Sequence, residues 1–176
     1  MNRHRSVFLV AAVAALLAAA PPAVADDAGL FNAYVARQAS EVDPAGDAYL
    51  RATRRLGRAD NAREARRAFR AIIRADRRIN AALGRIEAEM EAQQASSGPG
   101  GTARAEALKE LRGWRLANRL EMRVVRRILR GEQFNVRRAL RRPNKIMRRV
   151  YRNGRRAVRQ FRSVGLSHPV GAVSAK

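Results

Sequence analysis

Arginine is the residue type through which this sequence could do chemistry, because it recurs at helical spacing in two stretches. Near the middle of the chain, six arginines follow one another every three or four residues: Arg112, Arg115, Arg119, Arg123, Arg126 and Arg130. Near the C-terminus, seven arginines share one face of a predicted helix: Arg148, Arg149, Arg152, Arg155, Arg156, Arg159 and Arg162. A guanidinium group presents a planar fork of donors to phosphate or carboxylate and keeps its charge near neutral pH. We therefore predict that these arginines form an anion-binding surface.

The positive charge is confined to one half of the chain. Residues 101–176 contain 22 Lys and Arg against 4 Asp and Glu, a net charge of +18. Residues 26–100 contain 13 basic and 11 acidic residues, a net charge of +2. Such a field attracts polyanions and causes self-repulsion when nothing neutralises it. Two explanations other than anion binding stay open for this charge. A GC-rich genome favours Ala and Arg codons, and charge runs are commonly just the solvated face of a helix.

Enzymatic chemistry is not supported by the residues present. The chain has no cysteine, and outside the N-terminal leader its one histidine is His168, next to Pro169 in a predicted tail. A Ser-His-Asp arrangement has no obvious base here, and the Glu-x-x-His pairs of helical metal sites are absent from the sequence, so an exported enzyme ranks third among the possible functions. We predict a non-enzymatic protein with no catalytic residues, no metal site and no cofactor.

Three polar residues interrupt otherwise apolar stripes: Asp76, Asn118 and Glu121. We expect them to form a buried polar layer that fixes helix register, with arginines such as Arg119 as partners. A pocket with paired carboxylates is the alternative.

The first 25 residues have the pattern of a secretory signal peptide. Arg3 and Arg5 precede an uncharged run over residues 7–20, and Ala23-Val24-Ala25 offers small residues at the cleavage positions. The run is rich in alanine and shorter than the ~20 strongly apolar residues of a membrane span. We therefore predict export, either into the medium or to the cell envelope.

The elements that position the arginines are predicted to be helices throughout, because no apolar-polar alternation typical of strands is sustained. The predicted fold is an all-α helical bundle built around a long antiparallel helical hairpin, with a basic amphipathic C-terminal helix. Residues 26–164 form the domain, divided into a near-neutral half (26–94), a linker or turn (95–102) and a strongly basic half (103–164), and residues 165–176 form a flexible tail.

In the near-neutral half, the first helix is predicted over residues 28–40, burying Leu30, Phe31, Tyr34 and Val35. The second starts at Asp43-Pro44, carries Tyr49, Leu50 and Leu56, and stops near Gly57. The third runs over residues 61–94 with Asn61 as its cap, and has a coiled-coil seam of residues spaced three and four apart: Phe69, Ile72, Asp76, Ile79, Leu83, Ile86 and Met90.

In the basic half, Thr102 is predicted to cap a helix that ends near Arg130. A short helix containing Phe134, Val136 and Leu140 is predicted to end before Pro143, and a last helix then covers residues 143–164. Its apolar face is expected to include Val150, Tyr151, Val158 and Phe161, so that no aromatic ring lies among the arginines.

The partner class follows from charge and location together. Nucleic acid fits the charge, but exported protein is separated from the chromosome and rings for base stacking are sparse. We expect an anionic envelope polymer or an anionic lipid surface, with non-specific nucleic-acid binding as an alternative partner. The rival function is that of a structural protein making helix-helix contacts with itself or a partner, with its charge incidental.

Overall fold

The computed structural model describes residues 27–166, and its regular elements are helices packed against each other. They are α1 (Asp27–Arg37), α2 (Asp43–Gly57), α3 (Ala62–Ala92), α4 (Gly98–Leu129) and α5 (Val136–Ser163), with a π-helical turn, Gln38–Val42, between α1 and α2. The predicted all-α bundle is confirmed. The predicted leader and residues 167–176 of the predicted tail lie outside the described residues.

Helix α3 begins where its capping pattern predicts. The Asn61 side chain accepts a hydrogen bond from the Glu64 backbone N–H at 3.0 Å, and Glu64 Oε2 in turn accepts one from the Asp60 N–H at 3.2 Å. These bonds satisfy two donors at the start of the helix. Every residue of the predicted seam except the partly buried Phe69 is buried.

Helices α3 and α4 contact each other so that later positions of α4 lie beside earlier positions of α3. Arg104 of α4 donates from Nε to the carbonyl oxygen of Met90 at 2.7 Å and from Nη2 to that of Glu91 at 2.8 Å. Eleven positions further along α4, Arg115 lies against Gly84 of α3. The two helices therefore pack antiparallel, with the end of α3 beside the start of α4.

The core lies mainly at one end of these helices. Phe161 of α5 is fully buried and makes an edge-on contact with Phe31 at a ring-centroid distance of 5.3 Å, and it stacks on Tyr34 at 6.0 Å. A smaller cluster farther along joins Ala52, Ile72, Met122 and Val125. Burial of these side chains fixes which face of each helix points outward.

The corner between α1 and α2 differs from the prediction in two details. The four residues predicted to be buried on α1 are buried, but regular α-helix ends at Arg37 and a π-helical turn follows. On α2 the buried positions are the alanines Ala45 and Ala52, whereas Leu50 is 52% exposed. Leu50 lies two residues before Ala52, about 200° around the helix, and is therefore on the opposite side of α2 from the buried alanines.

Helix α4 begins before the predicted cap. Ser97 is the N-cap, its hydroxyl accepts from the Gly100 N–H at 2.9 Å, and Pro99 stands in the first turn. Thr102 was expected to cap but lies inside the helix, with its hydroxyl donating to the Gly98 carbonyl. Serine followed by proline in the first turn is itself a strong start signal, so residues 98–102 are helix rather than linker.

Helix α5 is continuous through Pro143, where two helices were predicted. Asn135 caps it by accepting from the Arg138 N–H at 2.8 Å. Pro143 is buried, and it lies on the same face as Val150, Gly154, Ala157 and Phe161. Packing along this uninterrupted face offsets the hydrogen bond that proline cannot donate.

Candidate anion-binding surface

The seven predicted arginines of the C-terminal helix all lie on the outside of α5. Val150, Ala157 and Phe161 are at most 1% exposed, and they fix the rotation of the helix about its axis. The arginines fall on the opposite side, and each is exposed: Arg148, Arg149, Arg152, Arg155, Arg156, Arg159 and Arg162. We call these seven residues the α5 arginine face.

The α5 arginine face has no carboxylate partner among the described residues. None of its members takes part in any of the nine ion pairs found between residues 27 and 166. The chain has no acidic residue after Glu132. One row of the face, Arg148 to Arg162, extends roughly 21 Å along the helix at 1.5 Å per residue. The row is therefore a line of free guanidinium groups.

The predicted stripe on α4 is not uniform, because half of its arginines are used within the fold. Arg112 Nε binds Glu87 Oε1 of α3 at 2.9 Å and also pairs with Glu91, and these bonds raise the pKa of Arg112. Arg115 shares Glu87. At the far end, Arg130 Nη2 lies 2.6 Å from Glu132 Oε1. Three of the six predicted arginines, Arg112, Arg115 and Arg130, are therefore paired within the fold, and anion binding at these positions stays a prediction.

The other three stripe arginines, Arg119, Arg123 and Arg126, are exposed. Burial raises the pKa of Asp76, and Arg126 is near enough for its charge to offset part of that rise. Arg119 and Arg123 make no ion pair within the described part of the chain, so they remain candidates for an external anion.

The structure adds basic residues to α5 that were not predicted as site residues. Because the helix continues through Pro143, its first two turns extend the same exposed surface with Arg137, Arg138, Arg141, Arg142 and Lys145. Their spacing of three and four residues was visible in the sequence. This pattern was not assigned to the site because separate helices were predicted on the two sides of Pro143.

Tyr151 was predicted on the apolar face, and its placement there is wrong. Its side chain is 58% exposed, with Arg148, Arg152 and Arg155 at positions three before, one after and four after it on the same helix. Residues three and four apart are neighbours on a helix surface. An aromatic ring therefore does lie among the arginines.

A second aromatic group contacts arginine at the start of the α4–α5 connection. The Arg127 guanidinium lies 3.9 Å from the centroid of the Phe134 ring, and Arg127 Nε binds Glu132 Oε2 at 2.6 Å. Cation-π contact and ion pair together hold the connection to the end of α4.

The predicted polar layer exists, but its partners differ from the prediction. Tyr49 of α2 donates its hydroxyl hydrogen to Glu121, and Asn80 Nδ2 donates to Asp76 Oδ2 at 3.1 Å. Burial and the nearby Glu121 charge raise the pKa of Asp76 to about 7. Arg119, the expected partner, is exposed and takes no part.

Asn118, the third residue of the predicted layer, is buried, and its Nδ2 has no hydrogen-bond partner among the described residues.

A second buried carboxyl, Glu110, was not predicted at all. Tyr34 of α1 donates its hydroxyl hydrogen to Glu110, whose carboxyl also lies against Gly154 of α5. Burial raises the pKa of Glu110 to about 7, although the Tyr34 bond acts in the opposite direction. Glu110 joins α1, α4 and α5 and lies on their buried side, away from the arginine face.

Within residues 27–166, no three acidic, histidine or cysteine side chains are grouped to hold a metal ion. No described helix combines the length and apolar character needed to cross a membrane. Comparison of the chain with protein-family models, curated proteins and solved structures found no match.

Proposed function

We propose that this protein is an exported, non-enzymatic anion-binding protein. The α5 arginine face, together with Arg119, Arg123 and Arg126 of α4, holds a phosphate-bearing polymer of the cell envelope or the surface of an anionic membrane. The leader pattern of residues 1–25 supports export, and the exposed arginines of α5 support the binding surface.

One observation carries the proposal. Some arginines elsewhere in the bundle, such as Arg37, Arg85 and Arg112, bind carboxylates, whereas α5 presents seven exposed arginines on one helix that contains no acidic residue and forms no ion pair among the described residues. Unneutralised neighbours at helical spacing cost a few tenths of a kcal/mol per pair. An external polyanion removes this repulsion. An extended row of guanidinium groups, each with several planar donors, is suited to binding a linear chain of phosphates.

The mode of binding that we propose is electrostatic and peripheral. A helix that inserts into a bilayer interface must bury its apolar face in lipid. That face of α5 is occupied by the bundle, since Val150, Ala157 and Phe161 are enclosed in the core. We therefore expect no insertion of the folded protein, and expect Val150→Asp or Phe161→Asp to unfold it rather than selectively remove lipid binding.

The test is the salt dependence of binding, with duplex DNA as a probe polymer of known charge spacing. The wild-type affinity should fall steeply with salt, because bound counterions are released from the polymer. In the triple variant Arg148→Gln/Arg152→Gln/Arg155→Gln, the slope of log affinity against log salt should become shallower by about 0.9 per lost phosphate contact. Vesicles rich in phosphatidylglycerol should respond in the same way.

The matched control is Arg63→Gln/Arg66→Gln/Arg70→Gln, which removes the same charge from exposed positions of α3. It should bind nearly as the wild type does. Equal losses of affinity in both triple variants would show that net charge alone explains the binding. That result would favour the rival function, a helix-packing structural protein with incidental charge. Absence of binding to DNA, vesicles and polyphosphate at low salt would also reject the proposal.

A further inference from the structure

A narrow groove between α2 and α3 brings four arginines together in the half of the chain that is nearly neutral in sum. Its floor is made of alanines, Ala48 and Ala52 from α2 and Ala71 and Ala75 from α3. Its walls are the side chains of Arg51, Arg55, Arg74 and Arg78. Because alanines leave room above the helix contact, the guanidinium groups on both sides can reach over the same space.

No acidic side chain lines this groove. None of the four arginines belongs to an ion pair among the described residues, although Asp47 precedes Arg51 by one helical turn on α2. Arg51 and Arg55 are four residues apart, as are Arg74 and Arg78, so each helix holds a repelling pair on its own surface. The folded chain thus gathers four positive charges without neutralising them.

The positive groove has a defined end. Beyond Arg78, the cleft between the same two helices continues to Glu41, Ala45 and Arg85. There Glu41 accepts hydrogen bonds from both Arg37 and Arg85, and Arg37 also pairs with Glu89, so two carboxylates offset these two arginines. An anion is therefore attracted to the four-arginine section and not to its continuation.

We propose that this groove is a binding site for a single phosphate group, held by forked hydrogen bonds from Arg51, Arg55, Arg74 and Arg78. The groove is open to solvent and offers about 180 Å³, below the ~300–1,000 Å³ of pockets that take drug-sized molecules. That space is enough for one compact oxyanion between the two pairs of arginines. Tetrahedral phosphate offers oxygens in several directions, which matches guanidinium groups that approach from two helices.

The phosphate can come from a small molecule or from a phosphate-bearing polymer. Inorganic pyrophosphate represents the small molecule and long-chain polyphosphate represents the polymer, and both contain the phosphate group. Comparing their binding therefore distinguishes the two sources. The site is independent of the proposed α5 surface. A negative result for one proposed site does not count against the other, because the two sites lie on different helices and their binding is measured separately.

The experiment records NMR signals of the alanine methyl groups during titration with inorganic phosphate, pyrophosphate and polyphosphate. Methyls of Ala48, Ala52, Ala71 and Ala75 should shift in a saturable way, whatever binds to α5. The variant Arg51→Gln/Arg74→Gln should bind pyrophosphate at least about tenfold more weakly, because it removes one fork from each wall. Saturation by pyrophosphate identifies a small-molecule site, and saturation by polyphosphate alone identifies a polymer site.

The control variant Arg54→Gln/Arg77→Gln removes one exposed arginine from each of the same helices without touching the groove lining. It should keep the affinity within about twofold, so that site geometry rather than charge explains the loss. Without ligand, Arg51→Gln/Arg74→Gln should melt no lower than the wild type, because it relieves both repelling pairs. Unshifted alanine methyls at millimolar ligand, or an equal loss of affinity in the control, would overturn the site.

Discussion

At the scale of single residues, buried carboxyls distinguish this bundle from a plain apolar core. Glu110 is 7% exposed and lies beneath α5, where its one hydrogen-bond donor among the described residues is the Tyr34 hydroxyl. Burial raises its pKa from the usual 4.5 to about 7. A carboxyl with a raised pKa in the folded state favours folding while it is protonated, and that contribution is lost as the pH rises toward the folded-state pKa.

We predict that Glu110 makes the protein less stable as pH rises from about 4.5 to 7. A shift of this size corresponds to about 3 kcal/mol over that window, complete at pH 8. Glu110→Gln keeps an acceptor for Tyr34 and removes the titration. Its free energy of unfolding relative to wild type should therefore improve by about this amount between pH 4 and pH 8, measured by urea denaturation.

The control for Glu110 is Asp60→Asn, which removes a carboxylate from an exposed position before α3 that forms no ion pair within residues 27–166. Its stability relative to wild type should change little over the same pH range. Parallel pH profiles for wild type and Glu110→Gln would show that Glu110 ionises in the fold as it does in the unfolded chain.

At the scale of helices, the close contact between α4 and α5 depends on glycines on the facing surfaces. A methyl group at Gly113 would lie 2.8 Å from Cγ2 of Val150, which is itself buried. We predict that Gly113→Ala destabilises the protein despite the better helix propensity of alanine, because the overlap forces the two helices apart at a cost of roughly 1–3 kcal/mol.

Gly46→Ala is the matched control, since Gly46 also lies within a helix but has open space around its Cα. It should raise the free energy of unfolding by about 0.5–1 kcal/mol. Thermal melts of the two variants should therefore move in opposite directions. A stabilised Gly113→Ala protein would mean that α4 and α5 are packed more loosely than the contact with Val150 indicates.

Periodicity and capping were enough to predict most of the elements. The seam of α3 and its Asn61 cap followed from local spacing, because an amphipathic helix repeats its apolar residues every three or four positions. Two predictions were wrong because each relied on one local residue. Pro143 was predicted to separate two helices, but α5 continues through it along a buried face. Thr102 was predicted to cap α4, but the helix begins earlier, with Ser97 as its cap and Pro99 in its first turn.

At the scale of the whole molecule, the sequence gives the sum of the charges but not which charges meet. The arginine rows of α4 and α5 have the same spacing, yet Arg112 and Arg115 face the acids of α3 and the α5 arginines face none. The groove between α2 and α3 was missed for the same reason. Its four arginines belong to a half whose net charge is close to zero, and only the packing of α2 against α3 brings them to one groove.

The start of the folded domain bears on the predicted export of the whole molecule. Asp27, at the first residue of α1, accepts hydrogen bonds from the Ser96 N–H at 3.1 Å and from the Ser97 hydroxyl, which fastens α1 to the turn before α4. These bonds hold the pKa of Asp27 below its usual value. Cleavage after Ala25 would leave this attachment intact with one residue to spare.

We predict that the exported protein begins at Asp26 and contains 151 of the 176 residues. Small residues are required at both ends of Ala23-Val24-Ala25, whereas the middle position is free to vary. Ala25→Gln should therefore accumulate as the full-length chain, and the matched change Val24→Gln should be processed as the wild type is. Intact-mass measurement of secreted and cell-associated material distinguishes the two. Exported protein that still begins at Met1, or equal processing of both variants, would contradict the predicted cleavage site.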